Sequence, residues 1–306
     1  MNIIQIILDI SVLLFPIASM FAVGLSFTLN QITRPLRFPD RVFRALVANF
    51  ILVPLLAVGI SRLLALETSL AAGVVLVGTA AGAPFLLKLT QVANGDVSLS
   101  ATLLVLLMPL TVFYMPFAVP LVIADASVNA VSIAVPLILT LLLPLIVGQI
   151  IGTVLPRLAS HLALIAAKTS SVSLLTLVIS TVILNASLFR DMIGTGAIIA
   201  AILLTAGGFG AGYLISSSGF NRRATMGLGT GQRNIAAALV VATQDFNDPR
   251  MLAMIVLFSV VDLMVLFPIA FILRRRSPPP DIHKSDSVPL QGPDPGGPKL
   301  PIKENP

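Results

Sequence analysis

The chain has no cysteine, which excludes disulfides, thiolate metal sites and cysteine nucleophiles. Histidine occurs twice, as His161 beside a basic loop and His283 near the carboxyl end, and neither has a partner at metal-ligand spacing. No His-x-x-x-His element and no Asp-rich element occurs, so nothing pairs a nucleophile with a base or activates water. An enzyme is not expected, and neither is a bound cofactor. Charge is scarce as well: Asp, Glu, Lys and Arg make up 10% of 306 residues, where a soluble domain carries about a quarter. The surface therefore cannot be one that water wets throughout.

What is present is apolar and comes in long runs. Hydrophobic residues fill 57% of the chain, in stretches long enough to cross about 30 Å of hydrocarbon at about 1.5 Å per helical residue. Nine spans are predicted, at about 3–29, 42–63, 68–94, 97–123, 131–154, 162–185, 192–216, 222–246 and 250–273. The start, Met1-Asn2-Ile3, lacks the positive region of a cleavable signal peptide, so the first run is expected to remain as a helix. The fold expected is an all-α polytopic membrane protein embedded in lipid.

The net charge of +6 is divided by position rather than gathered on one face, which argues against a nucleic-acid surface. Every second gap is basic: Arg34, Arg37, Arg41 and Arg44, then Arg157, then Arg222 and Arg223, then Arg274, Arg275 and Arg276. The alternate gaps hold Arg62, Arg190 and Arg250, with Glu67, Asp125, Asp191 and Asp248 nearby. Cytoplasmic loops retain Lys and Arg, so this pattern predicts the amino terminus outside and the carboxyl terminus in the cytoplasm. Residues 277–306 include nine prolines and few large apolar side chains, as expected of a disordered cytoplasmic tail.

Two spans are interrupted. In the third, Gly78 to Pro84 falls mid-span, with Gly82 and Pro84 as the helix breakers. In the eighth, Gly227 to Asn234 does the same, with Gly229 and Gly231 as breakers. Each break is followed at a similar distance by a polar turn, Gln91 to Asp96 before span four and Val241 to Asp248 before span nine. Two such units of opposite topology read as inverted repeats, four spans (about 1–125) and five spans (about 130–274), within a transmembrane domain of residues 1–276. Paired broken helices point to a transport site near the bilayer midplane.

From about Ser19 to Leu273 the chain resembles the bile acid:sodium symporter family. Met20 to Phe27 is similar to the family's MFGMGLTL, and Val77 to Pro84 sits where the family has VGCCPGGT. Gly95 to Ser100 matches GDVALS, Gly231 to Asn234 falls on GMQN, and Leu257 to Val260 on LFSVW. The resemblance implies crossing broken helices, a core and a panel domain, an organic anion as substrate, and sodium as coupling ion. It suits a bacterial member in the inner membrane. The sodium ligands do not carry over: their positions hold Leu86, Leu87, Leu104, Gly229 and Arg233, and only Ser100, Thr230 and Gln232 remain as oxygen donors.

Charges inside a membrane are functional candidates by default. Lys88 and Arg233 are read as fixed cations standing in for sodium and neutralising an anion, aided by the half-helix ends at Pro84 and Asn234. Thr79, Gln91, Asn94, Thr230, Gln232 and Asn234 complete the expected substrate contacts. Asp262 has two readings, a buried ion pair with Arg233 or a proton-coupling group. The serines and threonines from Thr169 to Thr176 are expected to pack helices. The function expected is secondary transport of a small organic anion. Alternatives are sodium-independent or proton-coupled transport, and a non-transporting receptor of the same fold.

Overall fold

The computed structural model describes residues 3–26, 39–123, 129–216, 219–246 and 248–277. Phe27, Arg34, Arg37, Asp125 and the expected tail from residue 278 lie outside the described residues. Among the described residues seven helices are long and apolar enough to span: α1 (Ile3–Ser26), α2 (Pro39–Leu63), α5 (Val97–Val122), α6 (Ala130–Val154), α7 (Pro156–Leu184), α9 (Ala197–Ile215) and α12 (Pro249–Arg276). The third span is the pair α3 (Thr68–Thr79) and α4 (Leu86–Val92), and the eighth is α10 (Phe220–Gly231) and α11 (Ile235–Val241). A short helix α8 (Ala186–Asp191) links α7 to α9. The chain is an all-α polytopic membrane protein. Large apolar side chains such as Leu121, Ile150 and Leu164 stay exposed on its outer faces, where lipid takes them up.

Some boundaries differ from those read in the sequence. The sixth span begins at Pro156 rather than near 162, because proline is pre-set for a first helical turn. The seventh begins at Ala197 rather than 192, after a turn in which Gly194 and Gly196 have φ of +91° and +86°.

Two packed groups of helices result. α1 lies against α6 and α7 and forms the panel, while α2 to α5 and α9 to α12 form the core. The α1–α6 crossing is a backbone contact: a Cβ on Gly24 would lie 2.2 Å from the Leu145 oxygen, and one on Gly148 would lie 2.6 Å from that of Phe21. Only glycine permits so close an approach.

Contacts between helix ends give the spans alternating direction. Arg250 pairs with Glu67, joining the starts of α12 and α3 on one face. On the other, the Asp96 N–H donates to Thr225 Oγ1 at 2.7 Å, and Ser277 donates to Asn221 at 3.2 Å. The third and eighth spans therefore run antiparallel.

Two spanning helices, α2 and α6, contain a π-helical turn, Ala48–Leu52 and Ile138–Leu142, with Pro54 or Pro144 just beyond it. In α2 the Val53 N–H reaches back to the Ala48 oxygen and bypasses that of Asn49. Pro54 has no N–H to offer the Phe50 oxygen, which accepts from the Tyr114 hydroxyl at 2.8 Å instead. The second span thus carries a polar notch, and the notch faces the site.

Candidate functional site

The first break, residues 80–85, is held by groups from two other spans. The Thr111 hydroxyl donates to the Ala81 oxygen at 2.9 Å and accepts from the Ala81 N–H at 3.0 Å. The Asn234 N–H, in the second break, donates to the Ala80 oxygen at 2.9 Å. Gly82 takes φ of +78° with Met108 backbone 2.7 Å from where a Cβ would stand, so the tight turn needs glycine. Backbone freed from a helix ladder inside a membrane must find such partners, because no water replaces them.

The second break lies later than the glycine pattern suggests. α10 continues through Gly229 and ends at Gly231, leaving residues 232–234 as the break. Gly227, Gly229 and Gly231 serve packing instead. A Cβ on Gly227 would meet the Phe209 ring at 2.8 Å, and one on Gly231 would meet Phe209 N and Thr205 O at 3.1 Å. Gly229 and Gly231 are thus corrected from breakers to contact points.

Arg233 occupies the crossing. It is 1% exposed, and all five of its N–H groups have protein acceptors. Nε donates to the Val77 oxygen at 3.2 Å, and Nη2 to those of Gly78 at 2.6 Å and Asn49 at 3.4 Å. Nη1 donates to Asn49 Oδ1 at 2.9 Å and the Thr230 oxygen at 3.3 Å. Three of these acceptors are last-turn carbonyls of α3 and α10, the ends where a helix dipole favours a cation. The fourth and fifth come from the notch in α2. With no N–H left over, Arg233 cannot donate to a bound anion as expected of it, although it borders the crevice. Asp262 is not among its partners, so the expected direct ion pair is absent.

A crevice of about 1210 Å³ opens between panel and core. On the core side Lys88, Gln91, Ser98, Thr102, Asn234 and Asp262 reach it; on the panel side Ser19, Ser170 and Ser171 do, amid Phe15, Leu174 and Leu175. Lys88 is exposed there, with its Nζ 5.8 Å from the Phe85 ring centroid and no hydrogen-bond partner among the described residues. Gln91 is exposed beside it. The crevice thus offers a desolvating apolar wall with a free cation and a few donors, as anion binding requires.

Other expected contacts fall elsewhere. Thr79 and Thr230 are fully buried, the first donating to Leu76 O and the second accepting from Asn49 Nδ2 at 3.2 Å. Gln232 is buried behind the crevice with no partner on Oε1, and Ser100 donates to the Val97 oxygen. Asn94 is exposed in the turn after α4 and does not line the crevice. Asn234 caps α11 through Ala237 N–H at 3.2 Å. Both α4 and α11 have only seven residues, so their amino-terminal ends add less than expected. Asn49, Thr111 and the crevice serines of α7 are site residues that sequence reasoning missed. A lone amide in an apolar span is the signal by which Asn49 could have been found.

Sodium does not fit the residues that would hold it. One methyl of Leu86 lies 3.0 Å from where Gly229 would carry a Cβ, so leucine fills the space beside a position where the resemblance implies a carboxylate. Of the remaining donors, Thr230 gives its backbone oxygen to Arg233, and the Ser100 hydroxyl is taken up by the Val97 oxygen. Among the described residues no group of three His, Cys, Asp or Glu could hold a metal.

Antiparallel broken helices meeting beside a wide crevice, in a chain of apolar spans, define a membrane transporter by class. The chain belongs to the Sodium Bile acid symporter family, whose model matches residues 12–192. That match takes in the first break and ends before the second. No protein of curated function matches the chain.

Proposed function

We propose that the protein carries a small organic anion across the bilayer by alternating access around the crossing of the third and eighth spans, without sodium. The saturation of Arg233 by five protein acceptors supports this reading most directly. The carboxyl ends of α3 and α10 each carry roughly half a negative charge, so their meeting point calls for a cation. An exchangeable ion there could be gained on one side and lost on the other, drawing energy from its gradient. A tethered guanidinium fills the same role and never leaves. It keeps the core assembled but takes no part in energy coupling. Lys88, which has no competing hydrogen-bond partner among the described residues, neutralises the anion, Gln91 donates to it, and the apolar panel receives its body.

The same reading assigns residues 1–276 to the transport domain, with repeats at about 1–125 and 130–274 and a cytoplasmic tail. It places the chain in a bacterial inner membrane with its amino terminus outside, on the distribution of Arg. The test is uptake of radiolabelled cholate, pantoate and pyruvate into proteoliposomes under separate sodium, potassium and proton gradients. At least one anion should accumulate equally in sodium and potassium. Accumulation that requires sodium overturns the tethered-cation reading.

A further inference from the structure

Asp262 is a buried carboxyl group for which the arrangement above has no use. It is 2% exposed, it lines the crevice, and its one hydrogen-bond donor among the described residues is the Thr205 hydroxyl, at 3.2 Å. Arg233, the nearest cation by sequence logic, spends every N–H on carbonyls and the Asn49 amide. Of the elements packed on α12, α3 and α11 bring no titratable side chain. α9 brings Tyr213, and α10 brings Arg222 and Arg223 in its first turn. α7 brings Arg157, His161 and Lys168, α8 brings Arg190 and Asp191, and the turn after α11 brings Asp245. None of these reaches the crevice; the charged side chains that share it with Asp262 are Lys88 and Arg233. A carboxylate at that depth is costly unless it is paired, hydrated or protonated. Here it has no ion-pair partner among the described residues, and it borders the crevice while staying 2% exposed.

We propose that Asp262 is the proton-carrying group that couples transport, taking a proton from the side to which the crevice is open and releasing it on the other. This rests on the transport reading above. The logic is one of alternation. When movement of the panel widens the crevice, water gains the carboxylate that this conformation keeps buried; when panel and core close over it, the charged form has no water and the neutral acid is favoured. Thr205 fits both states, since its hydroxyl donates to the carboxylate and can turn to accept from the acid. The tethered guanidinium keeps the rest of the core balanced throughout. Proton uptake at Asp262 and anion binding at Lys88 then travel together in one cycle. The gradient that a sodium ion would have supplied comes from protons instead.

The test uses the full chain in proteoliposomes, sodium-free, with radiolabelled cholate as probe. A pH gradient should drive accumulation of up to about tenfold per unit, or about 1.4 kcal/mol per proton. Asp262→Asn should abolish that accumulation while cholate counterflow, which needs no net proton movement, continues within about twofold, a change worth under 1 kcal/mol. Asp262→Glu should retain both with a displaced pH profile, and it serves as the working variant if the asparagine chain does not fold. Gradient-driven accumulation that persists in Asp262→Asn overturns the proposal, and so does loss of counterflow along with it, which would assign Asp262 to substrate or fold. Absence of wild-type counterflow would refute the transport reading for this probe, not the proton site. In that case infrared titration of the protein in lipid decides: a protonated-carboxyl band missing from Asp262→Asn supports the site, and no such band in the wild type overturns it.

Discussion

Arg233 Nη1 lies 2.9 Å from Asn49 Oδ1, a contact that joins residues 184 positions apart and ties the second break to the notch in α2. The same amide donates through Nδ2 to Ala45 O at 3.0 Å and to Thr230 Oγ1 at 3.2 Å. It is fully buried and fully used.

Asn49→Leu should therefore destabilise the protein by about 1–3 kcal/mol for each polar group left unpaired, the charged one most. Thermal melting in detergent measures this. A variant that melts with the wild type would mean that Asn49 is incidental to the crossing.

Arg233→Ala removes the cation and leaves Val77, Gly78 and Thr230 oxygens facing one another. The loss expected is about 3–5 kcal/mol, the cost of breaking a buried charged network from one side. Millimolar guanidinium should restore part of it, while sodium should leave wild-type melting unchanged. Rescue by sodium alone would show that the oxygens form a selective ion site after all.

Lys88 is exposed in the crevice and bonded to nothing described, so Lys88→Gln should leave melting within about 0.5 kcal/mol of wild type. Anion uptake should fall at least about tenfold, since one desolvated charge contact is worth more than about 1.4 kcal/mol. Lys88→Arg should retain most of it. Equal uptake by all three chains would remove Lys88 from the site.

Thr111→Val deletes both bonds to Ala81 and should cost about 1–3 kcal/mol for the stranded backbone groups. Amide exchange at residues 80–85 should quicken in step. Gly59→Ala is the control: nothing lies within 4 Å of its Cβ position in α2, so it should stabilise by up to about 1 kcal/mol. Gly148→Val, with backbone 2.6 Å away, should prevent α1 from docking.

Spans, breaks and intramembrane charges could be read from the sequence because each is a local pattern: apolar run length, Gly or Pro within it, a lone Lys or Arg. The inverted relation of the third and eighth spans followed from their shared turn signals, and their crossing from the family resemblance alone. What Arg233 touches was not legible, because its acceptors are mostly backbone carbonyls, which any sequence possesses and only the fold exposes. The glycines of α10 misled for a related reason. Glycine permits both a bend and a close approach, and Phe209 on α9, which decides for the second, lies outside the local window. Ser170 and Ser171 read as packing residues because the crevice that α7 walls against the core exists only after assembly.

The notch in α2 also bears on how the chain is made. Asn49, Val77 and Gly78 leave the ribosome early, while the side chain that satisfies their oxygens arrives 184, 156 and 155 residues later. Until then the nascent chain holds polar acceptors at membrane depth with no donor. Its first spans must remain loosely assembled, open to water or to assisting insertases. Arg233 enters as the pin between the two halves, and its charge is tolerated in the bilayer because those acceptors surround it. A chain stopped short of it leaves these acceptors without the donor that fills them.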